Sequence, residues 1–139
     1  MATRNQLKDL ALLRLQEAEY LFEGSFYDGA RYLSGYSVEL ALKARICRLL
    51  DVTEYPDTGD LRRVYASHDL DQLLKLAGLS RKLTLASPTV FSNWSIIAHW
   101  KPERRYDVAG TAARAEVEDI LKAINDGSHG VLTWIRKHW

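Results

Sequence analysis

The sequence has little cysteine, glycine or proline. Its single cysteine, Cys47, cannot form an internal disulfide, so a reducing, cytoplasmic location is expected. Eight glycines and three prolines among 139 residues leave few turn signals. No long stretch alternates β-branched with polar residues, and apolar residues recur at helical spacing instead. The sequence therefore predicts an all-α protein.

The net charge is also close to zero, because the chain has 19 lysines and arginines and 18 acidic residues. A chain with a formal charge of +1 has no overall basic field, although a local basic patch stays open. The 18-residue run Leu83–Trp100 lacks charge but contains Pro88, Asn93 and His99. We interpret it as buried or interfacial, and we expect no membrane partner. The opening "MATRNQLKDL" lacks an apolar core, so no signal peptide is expected.

The first half of the chain predicts two long helices. The first covers Thr3 to Glu23, with Gly24 as its stop. The second covers Tyr27 to Leu50, with Ser25 as a candidate N-cap. The loop "DVTEYPDTGD" follows.

The second half predicts three further helices. Ser67 is the candidate N-cap of a helix over "HDLDQLLKLAGL", and Ser87-Pro88 begins the next. A last helix begins near Thr111. We predict that it continues through "NDGSHG", because apolar residues on both sides of this segment keep one helical phase. The prediction is a single domain, residues 1–139, forming an up-and-down bundle of four to five helices.

The stretch "YLSGYSVELALKARI" places two charges in the middle of a largely apolar helix. Glu39 and Lys43 stand one turn apart, in the order that stabilises an exposed helix by about 0.2–0.5 kcal/mol. A solvated pair is one interpretation. Because apolar residues surround the pair, we predict instead that Glu39 is buried and bonded to a tyrosine, an arginine or Lys43. The stripe that these residues share with Tyr36 then faces a groove, a partner or a polar network.

At this point the sequence resembles the HEPN family. The resemblance rests on a helical opening, "FYDGARYLSGYSVELALKARICRLL", "SHDLDQLLKLAGL", "NWSIIAHWKPERRY" and a closing helix that ends in "VLTWIRKHW". It implies a helical bundle that usually forms a homodimer. It also implies a role in toxin–antitoxin, abortive-infection or nucleotidyltransferase-linked systems of bacteria or archaea. The implied partners are a nucleotidyltransferase-type protein and RNA.

Many members of that family are metal-independent RNases that carry an arginine, four to six residues and then a histidine. In such a pair the histidine transfers protons and the arginine stabilises charge on the phosphate. Here "RRVYASH" pairs Arg63 with His68, but it precedes the third predicted helix, whereas the family motif lies on a late helix. The late segment has no arginine at the required distance before His99. We predict a binding component without a complete RNase motif, and the alternative is an endoribonuclease that uses Arg63 and His68, with Glu39 as a further member.

Aromatic and basic residues near the fourth predicted helix form a second group of candidates. The candidate binding residues are Trp94, Trp100, Arg104, Arg105 and Tyr106, together with Glu39, Lys43 and Tyr36. Tryptophan, tyrosine and arginine contact RNA bases and phosphates, and they are also enriched at protein interfaces. We predict core or interface positions for the two tryptophans and leave both roles open for the two arginines.

No cofactor or metal site is predicted. His129 and His138 lack the spacing of zinc ligands, and the chain has no glycine-rich phosphate loop. We expect Cys47 to be a small buried apolar group. His99, on an otherwise apolar segment, is expected to be a hydrogen-bonded core or interface residue.

Overall fold

The structure is a computed structural model that describes residues 2–139. Its α-helices in this range are α1 (Arg4–Glu23), α2 (Tyr27–Leu50), α3 (Arg62–Tyr65), α4 (Leu70–Leu76), α5 (Ser80–Leu85), α6 (Pro88–Ile97), α7 (Arg114–Asn125) and α8 (Val131–Ile135). Two 3-10 turns cover Gly59–Leu61 and Pro102–Tyr106. The all-α prediction is confirmed. The eight α-helices in residues 2–139 are more than the predicted four to five, because the sequence did not predict α3, α5 or the break before α8.

The ends of α1 follow from its sequence. The Thr3 hydroxyl accepts a hydrogen bond from the Gln6 amide, and the Gln6 side chain accepts one from the Thr3 amide, which forms a capping box. Gly24 ends α1 as predicted. The prediction that Ser25 caps α2 is wrong. Ser25 lies in the turn with φ 66°, and Phe26 precedes α2 without a side-chain cap.

The central element is α2, which is buried on most of its circumference. It packs along α1 and also contacts α4, α7 and α8. Its stripe of small residues, Ala30, Ser34, Ser37, Ala41 and Ala44, is fully buried. Small side chains allow neighbouring helices to approach closely, and this position is what places the charges of α2 inside the protein.

Ser67 does not cap the helix that follows it, contrary to the prediction. The Asp69 carboxylate accepts from the Gln72 amide at 2.9 Å, so Asp69 is the N-cap of α4. The Ser67 hydroxyl accepts from the Asp69 amide instead. The cap is therefore two residues later than predicted, which leaves Ser67 and His68 in the loop before α4.

The last predicted helix is two helices. The Asp126 carboxylate accepts from the amides of Ser128 and His129, which forms a turn after α7. At Gly130 a Cβ atom would lie 2.5 Å from the Ile124 carbonyl oxygen, so glycine allows the chain to turn back tightly. The start near Thr111 is also wrong, because α7 begins at Arg114.

No helix within residues 2–139 combines the length and the apolar character needed to cross a bilayer.

Candidate functional site

Glu39 is the most deeply buried ionisable group near the predicted site, with 1% of its side chain exposed. Its Oε1 atom accepts a hydrogen bond from the Lys43 ammonium at 2.9 Å. Its Oε2 atom is buried and has no hydrogen-bond partner within residues 2–139. The predicted burial of Glu39 and its bond to Lys43 are confirmed, so this pair is not a solvated surface pair.

His68 is the second partner of Glu39. Its Nδ1 atom lies 2.9 Å from the same Oε1 oxygen. Because a carboxylate only accepts hydrogen bonds, this contact assigns the Nδ1 proton to His68 and leaves Nε2 of the neutral ring as an acceptor. The side chain of His68 is 57% exposed. A buried carboxylate thus orients a histidine that stays open to solvent.

Lys43 has a partner beyond Glu39. Its ammonium lies 5.2 Å from the centre of the Tyr55 ring, on the face of the aromatic system. The Tyr55 hydroxyl donates to the Tyr65 carbonyl oxygen at 2.6 Å, and burial raises the pKa of Tyr55. These contacts tie the segment between α2 and α4 to the central helix, so they hold His68 beside Glu39.

His68 opens into a surface cleft of about 440 Å³. The residues that line it are Ser67, His68, Asp69, Lys101, Pro102 and Glu103. Two of them are carboxylates and one is a lysine. The charged side chains of this cleft therefore carry an excess of negative charge, which opposes the entry of a phosphate.

Arg63 lies apart from this cleft. It is exposed on α3, and it makes no hydrogen bond or ion pair in the part of the chain that the structure describes. It also does not line the cleft that contains His68. Within one protomer, the two members of the predicted catalytic pair therefore do not meet in this cleft.

Tyr36 lies one turn before Glu39 on α2. Its ring stacks on Tyr32, with centroids 6.1 Å apart and planes 5° from parallel. Burial, followed by the nearby charge of Glu39, raises the pKa of Tyr36. Tyr32 in turn stacks on Trp100. The aromatic side chains near Glu39 thus pack on one another and form one wall of this region.

The two predicted tryptophans belong to the core of the protein. Trp94 is 4% exposed and Trp100 is 7% exposed. The Trp94 indole donates to Asp71 at 3.1 Å, whereas the Trp100 nitrogen is buried without a hydrogen-bond partner within residues 2–139. Neither indole presents an open face for stacking an RNA base. The core interpretation of both residues is confirmed.

The basic residues after α6 differ in whether a carboxylate pairs with them. Arg104 lies 3.7 Å from both Asp107 and Glu116, so two carboxylates already neutralise it. Arg105 packs over the Tyr106 ring at 4.8 Å, and hydrogen bonds to Tyr106 and Tyr32 raise its pKa. Tyr106 is 77% exposed. All three residues are exposed, but within residues 2–139 only Arg104 has carboxylate partners.

Sequence reasoning missed Arg31. It is 3% exposed on α2, and its guanidinium lies 3.3 Å from Glu116 and 3.5 Å from Asp107. It lines a cavity of about 210 Å³ together with Trp100 and Arg104. The sequence signal for its burial was a lone arginine in the largely uncharged segment "DGARYLSG". Its acidic partners lie more than 70 residues away in the chain, so the sequence did not identify them.

His99 is not a core residue of the protomer. It is exposed and its side chain makes no hydrogen bond within residues 2–139, so the core alternative is wrong and the interface alternative stays a prediction. The outer side of α6 just before it is apolar, with Phe91 49% and Ile96 47% exposed. The uncharged run therefore faces both the core and the solvent.

The structure contains no metal-binding arrangement of three or more histidine, cysteine or acidic side chains in residues 2–139. Cys47 is fully buried as expected, and burial raises the pKa of its thiol.

Comparison with protein families matches residues 5–135 to the family described as HEPN domain. This match covers nearly all of the chain. No curated protein and no solved structure matches the sequence.

Proposed function

The chain belongs to the HEPN family, and from this premise we propose that it is a dimeric, RNA- and partner-binding component of a toxin–antitoxin or defence-type system. In this proposal the protein does not cleave RNA itself. Its partner is a nucleotidyltransferase-type protein, as the family resemblance implies. It works in the cytoplasm as a single HEPN-like domain without a cofactor.

The charge of the His68 cleft carries the non-catalytic part of the proposal. Asp69 and Glu103 line it against a single lysine, and Arg63 is absent from its walls. RNA cleavage by an arginine–histidine pair requires a cation that stabilises the charge developing on the phosphate. In this cleft a phosphate would meet two carboxylates instead. The site is therefore better suited to holding the segment before α4 than to turning over RNA.

The outer side of α6 supports the proposed dimer. Phe91 and Ile96 are about half exposed, and Leu85 just before α6 is 75% exposed. The run Leu83–Trp100 that contains them carries no charged residue. Charged side chains of other elements border this apolar surface, with Asp71 and Lys75 near Phe91 and with Arg104 and Asp119 near Ile96. An apolar surface of this kind is typical of a protein interface, and a second copy of the chain would cover it.

Sedimentation velocity tests the dimer. We expect about twice the 15.9 kDa protomer mass at micromolar concentration. Phe91→Glu and Ile96→Glu should each shift the protein toward the monomer, because each places a charge in the apolar face. Val108→Glu is the matched control, since Val108 is 83% exposed in a loop outside this face. A parent protein that sediments as a monomer contradicts the proposed dimer.

A second candidate function, a metal-independent endoribonuclease, is favoured by one observation. The His68 Nδ1 atom donates to Glu39 while more than half of the side chain is exposed, which leaves the Nε2 atom of the neutral ring as a proton acceptor. A cation would have to come from Lys101 or from Arg63 of a second protomer.

An RNA cleavage assay in EDTA distinguishes the two functions. We expect the parent, His68→Ala and Arg63→Ala all to leave single-stranded RNA intact. Cleavage by the parent that His68→Ala reduces by a factor of about 100 or more would establish the enzyme instead. Co-purification with a nucleotidyltransferase encoded beside the protein tests the proposed partner.

A further inference from the structure

A surface at one end of the bundle collects cations from four parts of the chain. We call it the basic end surface. It comprises Arg4, Lys8, Arg45, Arg48, Lys82, Arg136 and Lys137. Residues 138 and 139 lie at its centre.

Direct contacts bring four of the seven cations together. The Arg45 guanidinium donates to the His138 carbonyl oxygen at 3.0 Å, and that of Arg48 donates to the Trp139 carbonyl oxygen at 3.3 Å. The Trp139 ring lies 5.6 Å from the Lys8 ammonium and 5.8 Å from the Arg136 guanidinium. Helix α1, the end of α2 and the segment after α8 therefore present their cations on one surface.

The remaining three cations are close enough to act on their neighbours. Burial, followed by the charges of Arg4 and Arg48, lowers the pKa of Lys8. Burial, followed by Lys82, Arg45, Arg48 and Lys137, lowers the pKa of His138. Burial is the larger cause for both groups, and the neighbouring cations lower the two pKa values further, which places these cations close to Lys8 and His138.

Carboxylates do not neutralise this surface. Within residues 2–139, none of its seven cations lies within 4 Å of an aspartate or glutamate oxygen. By contrast, Arg14, Arg31, Lys43, Arg104 and Lys122 each have such a partner. A carboxylate on Trp139 would neutralise one of the seven charges and leave six. The other twelve lysines and arginines are outnumbered by the eighteen acidic residues of the chain, so without these seven cations the chain would carry a net negative charge.

We infer that the basic end surface binds the phosphate backbone of RNA. The inference rests on the RNA-binding part of the proposed function and locates it. The aromatic and basic residues near α6 that the sequence suggested are poorly suited to binding RNA, because Trp94 and Trp100 are buried and Arg104 is paired with a carboxylate. Four of the seven cations are arginines, which bind phosphate through two parallel hydrogen bonds.

An array of unpaired cations suits a polymer of phosphates better than an isolated anion. Neutralising several phosphates at once releases the counterions around the RNA, which makes the affinity strongly dependent on salt. The four exposed members, Arg48, Lys82, Arg136 and Lys137, stand at the surface, where such a ligand can reach them. The contacts of Arg48 and Arg136 to Trp139 are not ion pairs and leave both charges uncompensated. The partly buried Arg4, Lys8 and Arg45 supply a fixed positive potential beneath them.

Fluorescence anisotropy with a short fluorescein-labelled single-stranded RNA tests the inference. The test variant combines Arg48→Gln, Lys82→Gln and Lys137→Gln, all at exposed positions. We expect it to weaken binding about tenfold or more at fixed salt. It should also reduce the slope of log affinity against log salt by about 2, since each phosphate contact on a single strand contributes roughly 0.7.

The matched control removes the same charge elsewhere. It combines Lys75→Gln, Arg114→Gln and Lys122→Gln, which are exposed and lie outside the basic end surface. We expect the control to bind RNA with nearly the affinity and salt slope of the parent. Circular dichroism checks that both triple variants keep the helical fold.

The outcomes distinguish the location of the RNA-binding surface from RNA binding itself. Equal affinity of the test and control variants would overturn the location while leaving RNA binding intact. No RNA binding by the parent would refute the RNA-binding part of the proposed function as well. Binding to anionic phospholipid vesicles or to an acidic protein, in preference to RNA, would also overturn the inference.

Discussion

Replacement of Glu39 by alanine gives the most direct test of why two charges lie inside α2. The change removes the Oε1 atom that accepts from both Lys43 and His68. It leaves the Lys43 ammonium in a site where only 11% of its side chain is exposed, beside the Tyr55 ring. We expect Glu39→Ala to lower the free energy of unfolding by about 2–4 kcal/mol.

Three effects set this magnitude. A hydrogen bond to a charged group contributes about 1.5–3 kcal/mol, and an orphaned buried ammonium adds a desolvation penalty. Within residues 2–139 the Oε2 atom is buried without a hydrogen-bond partner, which costs the parent protein about 1–3 kcal/mol. Removing this atom therefore offsets part of the lost stability. The loss of the bond to His68 adds little to the destabilisation. More than half of the His68 side chain is exposed, so water replaces the lost hydrogen bond.

Helix α7 offers a matched control for this test. Glu118 and Lys122 form the same i,i+4 pair at 3.2 Å, but their side chains are 43% and 72% exposed. Glu118→Ala should therefore change stability by no more than about 0.5 kcal/mol. Urea denaturation followed by circular dichroism measures both variants.

A double-mutant cycle separates the Glu39–Lys43 interaction from the effect of burial alone. Lys43→Met removes the ammonium and keeps most of the side-chain volume. We expect a coupling energy above about 1 kcal/mol, so that Glu39→Ala with Lys43→Met loses less stability than the two single changes together. If Glu39→Ala is as mild as Glu118→Ala, the pair is energetically a surface pair and the reasoning is refuted.

Three further changes test the packing, the cysteine and an acidic contact. Gly35→Ala should lower stability by about 1–3 kcal/mol, because its new Cβ would lie 2.2 Å from the Trp100 ring, whereas Gly127→Ala meets no atom within 4 Å and should be nearly neutral in a thermal melt. Cys47 should react with Ellman's reagent only after unfolding, since burial blocks access and raises the pKa of the thiol. Two backbone amides lower the pKa of Asp28, so its stabilisation is present above its unfolded pKa of about 3.9 and is lost as the pH falls through the lower folded value. The stability difference between the parent and Asp28→Asn should therefore shrink below about pH 4 in urea titrations, and a constant difference would contradict this assignment.

Helix α1 was predicted well because it has local signals at both ends. Thr3 and Gln6 lie at the start of α1 and Gly24 lies at its end, and each acts on residues within a few positions. Helix α2 was predicted over the observed range, Tyr27–Leu50, because its apolar residues continue without a breaking residue. Local capping chemistry of this kind is readable from sequence, since the interacting groups are neighbours in the chain.

The missed break between α7 and α8 has a physical reason. Val117, Leu121 and Ile124 are buried on the first helix, and Val131, Trp134 and Ile135 are buried on the second. Both helices pack on the same core, so the apolar period continues across the turn and hides it. The decisive feature is the close approach of the backbone at Gly130, which only the three-dimensional structure shows.

The candidate site was predictable only in the part that lies within one helix. Glu39 and Lys43 are four residues apart, so their pairing follows from helix geometry. The bond from Glu39 to His68 spans 29 residues, and that from Arg31 to Glu116 spans 85. Such contacts depend on how the helices pack. The spacing of Arg63 and His68 suggested a pair, but the packing directed His68 to Glu39 instead.

The charges of α2 explain why stability and binding must be tested at different residues. Arg31 bonds to Glu116, Glu39 bonds to His68, and Arg45 bonds to the carbonyl oxygens of Ala77 and His138. Each of these side chains joins the central helix to a distant part of the chain, so its removal disturbs the fold and any bound ligand together. Arg48, at the end of the same helix, is exposed, and its bond to the distant Trp139 carbonyl oxygen also lies at the surface. A loss of RNA affinity at Arg48 without a loss of stability would therefore report on binding alone, which no substitution at the three buried or half-buried positions can do.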